Sequence, residues 1–389
     1  MILVNASNKI LCLHLTKFVP DSQNVAKSVC TFLADLLPPT VRDDYSLGLL
    51  RDLGGVASSM IAAGIPSREL FESLCEFLAQ FIIAHGQAID RGTEAMLRAS
   101  TGFATEREIF RITEGLFLSA IEYARPTLGE CWTRPTEQGQ GQTPFESHEA
   151  SSTSKLSEST KDCLVALLPL IQVCLDHSPA FLVYLPARPG VDREQDMLLR
   201  RAVDSTVGSL NEADADLTSS AIMLLEIMVS FELAAPFPLQ VDWSSQLFVQ
   251  LKQHSSQNDE IRSLIADELS RVRGDVLNRL IMGCCGNYEL KVIEKVASYF
   301  HTLLRTSPSA ELESDMARAL RQEHFVLGEE AARVCMNVFA QCARRSLGQD
   351  ELKVFLEQVW TIHRAEDRNA LSQSDSVAHL IKSYRAQHT

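Results

Sequence analysis

The feature that most constrains this chain is the period of its apolar residues, which is helical in almost every stretch where a period can be read. Over 22–37, Val25, Val29, Phe32, Leu33 and Leu36 share one face, and Pro38-Pro39 ends the run. Residues 67–85 repeat the pattern with Leu70, Leu74, Phe77, Leu78, Phe81 and Ile82. Thr105 and Glu108 have the spacing of a capping box, in which hydroxyl and carboxylate satisfy free amides at a helix start. The helix it predicts carries Ile109, Ile112, Leu116, Phe117, Ala120 and Ile121 and is expected to stop near Pro126 and Gly129.

The later segments are more regular. Leu217, Ala221, Leu224, Leu225 and Met228 mark a helix over 217–232. Ile261, Ile265, Leu269, Val272, Val276 and Leu280 mark another over 259–282. Ile293, Val296, Ala297, Phe300 and Leu304 follow over 289–304, and Ser307-Pro308 have the chemistry of an N-cap and first helical residue for Leu312, Met316 and Leu320. Two further stripes are Ala331, Cys335, Val338, Phe339 and Cys342, then Leu352, Phe355, Leu356, Val359 and Ile362. No β-hairpin or βαβ pattern competes with these.

Spacing extends the argument from elements to architecture. Expected starts near 289 and 329 are 40 residues apart, those near 310 and 349 are 39 apart, and those near 217 and 259 are 42 apart. A helix-pair period of about 40–47 residues is that of HEAT and armadillo arrays. Such pairs cannot bury their apolar faces alone and stack instead. The expected fold is therefore all-α, a HEAT/armadillo-like α-solenoid winding antiparallel helix pairs into a right-handed superhelix. The competing architecture is a compact helical bundle without repeats.

One stretch breaks the pattern. Between Arg134 and Thr160 the chain is poor in apolar residues and rich in Ser, Thr, Gln and Gly, the composition of a disordered linker or insertion, with serines that could accept phosphate. The organisation expected is N-terminal helical repeats over 1–133, this polar segment over 134–160, and C-terminal HEAT-like repeats over 161–389.

Composition bounds the partners. The net charge of −14 argues against direct nucleic-acid binding, which needs a basic footprint, and suits a basic protein partner. Apolar runs fall short of the ~20 residues that span a bilayer, so no membrane segment is expected. The start lacks the pattern of a secretory signal, which leaves the sequon Asn5-Ala6-Ser7 without consequence. Ten cysteines without a CxxC pair, most of them on apolar stripes, read as reduced core residues of a cytosolic or nuclear protein.

A search for chemistry finds little. The chain lacks HExxH, GxSxG and GxxxxGK[ST]. Gly54-Gly55 and Gly139-Gln140-Gly141 lack the strand that a phosphate-binding turn requires. Cys12-Leu13-His14 is too closely spaced for a usual pair of metal ligands. Cys284-Cys285 reads as a core cysteine beside a partly exposed one, Asp214-Ala-Asp216 as N-terminal capping, and Arg344-Arg345 as cations at a helix C-terminus. No catalytic, cofactor-binding or metal-binding residues are expected, and no cofactor. Cargo-binding positions cannot be named from helix register.

Several segments together resemble the C-terminal region of nuclear transport receptors of the importin-β superfamily, most closely the transportin-3 and importin-13 branch. They are HSPAFLVYL at 177–185, DMLLRRAVDSTVGSL at 196–210, LTSSAIMLLEIMVSF at 217–231, IRSLIADELSRVRGDVLNRLIMGCCG at 261–286 and VIEKVASYFHTLLRTSPSAELESDMARAL at 292–320. The resemblance implies a karyopherin that carries protein cargo, basic or Arg-Ser-rich, between nucleus and cytoplasm, with Ran GTPase and nucleoporins as further partners. Receptors of that kind are more than twice as long, with Ran-binding repeats towards the N-terminus, so the likeness is to a C-terminal part. The second functional expectation is a HEAT-repeat scaffold subunit unrelated to transport; the third is an enzyme with an unrecognised site.

Overall fold

A computed structural model describes residues 68–97, 103–132, 156–185, 197–210, 214–233, 247–306, 309–321 and 328–364. The described residues are all-helical, with α1 Arg68–Leu97, α2 Ala104–Trp132, α3 Glu158–His177, α4 Pro179–Tyr184, α5 Leu198–Ser209, α6 Ala215–Leu233 and α7 Leu247–Met282. A π-helical turn, Gly283–Asn287, leads on to α8 Leu290–Thr306, α9 Ala310–Ala319, α10 Gly328–Ala343 and α11 Gln349–Arg364. The chain divides into two compact units, one holding α1 to α4 with α5 as far as Ser205, the other holding Thr206 onward. The apolar run over 22–37 lies outside the described residues.

In the first unit, α1 packs against α2, α3 and the short α4. Leu74, Leu78 and Ile82 of α1, Phe117 of α2, and Leu164, Leu167 and Leu168 of α3 are almost wholly removed from water. Phe181 of α4 is wedged edge-on against Phe117 and Phe110, with ring centroids 5.4 and 6.0 Å away. A six-residue helix could not hold itself together in water. It persists because Ala180, Phe181, Leu182 and Val183 are all buried and because Asp90 caps it. The Asp90 carboxylate accepts from Ser178 Oγ at 2.7 Å and from the backbone amides of Ala180 and Phe181.

Two helix ends differ from expectation here. α2 begins at Ala104, so Thr105 lies inside its first turn rather than at the cap. It also runs through Pro126 to Trp132. Pro126 and the neighbouring Glu122 are exposed, so the carbonyl that the proline leaves without a donor lies on the solvent side. Pro169 is tolerated on an exposed face of α3 in the same way. The polar stretch contributes directly to structure at its end: Ser157 caps α3, its Oγ accepting from the Thr160 amide at 3.2 Å, so 158–160 form the first turn.

In the second unit, α8 packs against α6, α10 and α11, and α7 packs against α6 and α9. Most of the expected apolar stripes are buried: Leu217, Ala221, Leu224, Leu225 and Met228 on α6, Ile293, Val296, Ala297, Phe300 and Leu304 on α8, and Leu352, Phe355, Leu356 and Val359 on α11, while Leu269 of α7 and Ile362 of α11 are only half-buried. Asp214 caps α6 as its sequence position suggested, Oδ1 accepting from the amides of Asp216 at 2.9 Å and Leu217 at 3.0 Å. The cap of α9 is displaced. Ser309 fills it, accepting from Leu312 N at 3.1 Å, while Ser307 and Pro308 lie outside the described residues. The α10 terminus is a Schellman turn in which the Ser346 amide donates to Gln341 O and the Arg345 amide to Cys342 O. Arg345 itself stands at φ 62, a conformation glycine usually fills.

The two ends of the α7 to α8 connection are tied to distant elements. Arg279 Nη1 donates to Val207 O in the last turn of α5 at 3.0 Å, placing a cation at a helix C-terminus. Tyr288 donates its hydroxyl to Leu210 O at 2.6 Å, and its own carbonyl accepts from Trp360 Nε1 of α11 at 2.8 Å. Gly283 is obligatory beneath this residue, because a Cβ there would overlap the Tyr288 ring.

Candidate functional site

Within the first unit, the stretch of α1 between Gly86 and Gly92 is pinched by two helix ends. A Cβ at Gly86 would collide with the carbonyl of His177 at the end of α3, and one at Gly92 with the carbonyl of Glu106 in the first turn of α2. Both glycines therefore let backbone approach backbone. Six residues of helix rise about 9 Å, which sets the span between the two contacts. Over this span opens a cleft of about 690 Å³, lined by Ile83, His85, Arg91, Thr105, Glu106, Ile109, Asp176 and His177 among others.

The two walls of the cleft have opposite polarity. On one side stands the start of α2, where the first backbone bond runs from the Arg107 amide to Phe103 O at 2.9 Å. Phe103, at φ 61 and with an apolar side chain, cannot cap the helix. Among the described residues nothing accepts from the amides of Ala104, Thr105 and Glu106. On the other side stands the C-terminus of α3, whose partial charge is negative and whose last turn carries Asp176. Arg91 and Asp176 are exposed and pair with no described residue.

His85 is the unusual member of the lining. It is only 8% exposed, its ring lies 4.6 Å from that of Phe81, and its Nε2 has no hydrogen-bond partner. Burial lowers its pKa, so the ring is neutral at pH 7 and offers one donor and one acceptor. The nearby Asp90 behaves oppositely. Burial pushes its carboxyl up to about 7, against the hydrogen bonds from Ser178, Phe181 and Ala180 that favour the charged form.

The positions singled out in the sequence lie elsewhere. Cys284 is buried in the π-turn and Cys285 is half-buried, and burial drives the first thiol well above its usual value and the second up to about 12. Thiols so protonated are poor nucleophiles. Asp214 is a cap, and Arg344 and Arg345 form the α10 terminus. Gly54-Gly55, Cys12, His14 and Gly139-Gln140-Gly141 lie outside the described residues. Among the described residues no group of three His, Cys, Asp or Glu side chains is arranged to hold a metal ion, and no helix is long and apolar enough to cross a membrane. Sequence reasoning missed the cleft altogether. Its only local signal is the pair Gly86 and Gly92 inside a strongly periodic helix, where glycine costs about 1 kcal/mol relative to alanine.

Comparison with known proteins finds no matching protein family, no matching curated protein and no matching solved structure.

Proposed function

We propose that this chain is a protein-binding helical-repeat receptor of the karyopherin type, holding protein cargo on an extended face of stacked helix pairs for transport between nucleus and cytoplasm. The observation that carries this reading is the recurrence of helix starts in the second unit. Leu290 and Gly328 are 38 residues apart, and Ala310 and Gln349 are 39 apart, so the spacing recurs over α8 to α11, whereas Ala215 and Leu247, expected 42 apart, are 32 apart. Side chains on the surface tie non-consecutive helices together. Arg273 of α7 meets Asp315 of α9 at 2.8 Å, Ser298 of α8 donates to Glu226 of α6 at 2.6 Å, and Lys353 of α11 meets Glu294 of α8 at 2.9 Å. Nearest-neighbour joining of this kind is the physics of a solenoid, here read as HEAT-like.

Cargo chemistry follows from charge and from the resemblance of 177–320 to importin-β-type receptors. A chain of net charge −14 favours basic, Arg-rich partners, with association that weakens as salt rises. No catalytic step belongs to this reading.

The test is capture of partners from nuclear and cytosolic extract by the full chain, with and without GTP-locked Ran, identified by mass spectrometry. Recovery of basic Arg-Ser-rich proteins that Ran releases supports a transport receptor. A single stable partner indifferent to Ran replaces it with a scaffold subunit.

A further inference from the structure

We infer that the exposed face of α1 is a self-association surface, on which two copies of this chain pair antiparallel about a two-fold axis between Ile83 and Ala84.

The exposed stripe of α1 is complementary to its own reverse. Glu76, Gln80, Ile83, Ala84, Gln87 and Arg91 are exposed, and Ala79 and Ala88 beside them are half-buried. Turning the helix end over end about the point between Ile83 and Ala84 lays Glu76 on Arg91, Ala79 on Ala88, Gln80 on Gln87 and Ile83 on Ala84. Every pair is compatible. Opposite charges attract, two amides can exchange hydrogen bonds, and paired alanines let two helices approach closely. A two-fold interface makes each such contact twice.

Two further observations favour a second copy as the occupant. Glu76 and Arg91 lie about 22 Å apart along one helix, too far to meet each other, and neither pairs with another described residue. The stripe is also free of net charge, because no exposed residue between these two is charged. Copies of net charge −14 repel one another over much of their surface, and a neutral stripe is where they can approach. The helices that pack on α1 leave this face open: Ile83 is 45% exposed, and Ile83, Ala84, Gln87, Ala88 and Arg91 floor the cleft described above. The first half of the second copy's α1 would lie over that floor. One helix pair of this length is a small interface, well under the ~1,600 Å² of a standard one, so the association is weak, with a Kd of about 10–100 µM.

Sedimentation equilibrium of the full chain, over about 5–500 µM, tests the inference and should show a monomer–dimer equilibrium. Glu76→Arg and Arg91→Glu should each weaken the dimer by about tenfold, since two attractive pairs become two repulsive ones. The double reversal E76R/R91E should restore it to within about twofold. The two single reversals move net charge in opposite directions, so an effect of overall charge would separate them. Ile83→Asp, at the axis, should leave a monomer, and thermal melting checks that these exposed substitutions keep the fold. A chain monomeric at the highest concentration, single reversals that shift association in opposite directions, a double reversal as weak as the singles, or a dimer indifferent to I83D would overturn the proposal.

Discussion

The hydroxyl of Tyr288 reaches the carbonyl of Leu210, 78 residues earlier in the chain, at 2.6 Å. The hydrogen bond is buried, and burial holds the phenol well above its ordinary pKa, so it remains a donor at any physiological pH. With Trp360 donating to the carbonyl of the same residue, Tyr288 joins the end of α5, the π-turn and α11.

Tyr288→Phe keeps the ring and removes only this donor. The buried Leu210 carbonyl is then unpaired, and the cost expected is about 1–3 kcal/mol. Urea denaturation should show a lower midpoint at unchanged slope.

Three glycines separate crowding from helix propensity. Gly283→Ala drives a methyl into the Tyr288 ring and Gly86→Ala drives one into the His177 carbonyl, so each should destabilise by about 1–3 kcal/mol. At Gly115 of α2 nothing lies within 4 Å of a new Cβ, so Gly115→Ala should stabilise by about 0.5–1 kcal/mol. Thermal melting of the three variants checks both signs.

Arg345→Gly should also stabilise. The Schellman turn keeps its backbone hydrogen bonds, and relief of the left-handed conformation is worth about 1 kcal/mol, reduced by the entropy glycine adds to the unfolded chain. Loss of stability in R345G would mean that the arginine side chain outweighs its backbone strain.

The pH dependence of stability carries the signature of Asp90. Its folded pKa, raised to about 7, lies above the value near 3.9 of an unfolded Asp. The stabilisation is complete below pH 3.9 and is lost as pH rises to 7, because the unfolded chain releases its proton first. His85 and His301, both lowered by burial, act the other way: their stabilisation is present above about pH 6.5 and is lost as pH falls through their folded values. The diagnostic is therefore a difference. Between pH 4 and 7, wild type should lose stability relative to Asp90→Asn, and identical profiles would remove the effect assigned to this carboxyl.

What could be read from the sequence is local. The apolar stripes of α6, α8 and α11 are the buried faces, since a 3.6-residue period is imposed by the helix itself. Asp214 was legible as a cap for the same reason. Thr105 was misread because capping chemistry is common near any helix start, and which residue serves is decided by the chain that enters it. Pro126 was misread as a stop because a proline on a solvated face loses one hydrogen bond without ending a helix packed along its other side. The cleft had no local signature to read: it joins Gly86 to His177 and Gly92 to Glu106, contacts that exist only once α1, α2 and α3 have packed. Tyr288 was passed over for the same cause.

The two bonds of Tyr288 also impose an order in time. Its hydroxyl contact needs only chain already synthesised, whereas the indole that meets its carbonyl lies 72 residues ahead. At about 5–20 residues per second, a ribosome delivers that indole roughly 4–14 s later. During this interval the nascent second unit can close its early helices around α5, α6 and α7 while the face that awaits α11 is still bare, a window in which a chaperone has a defined surface to guard.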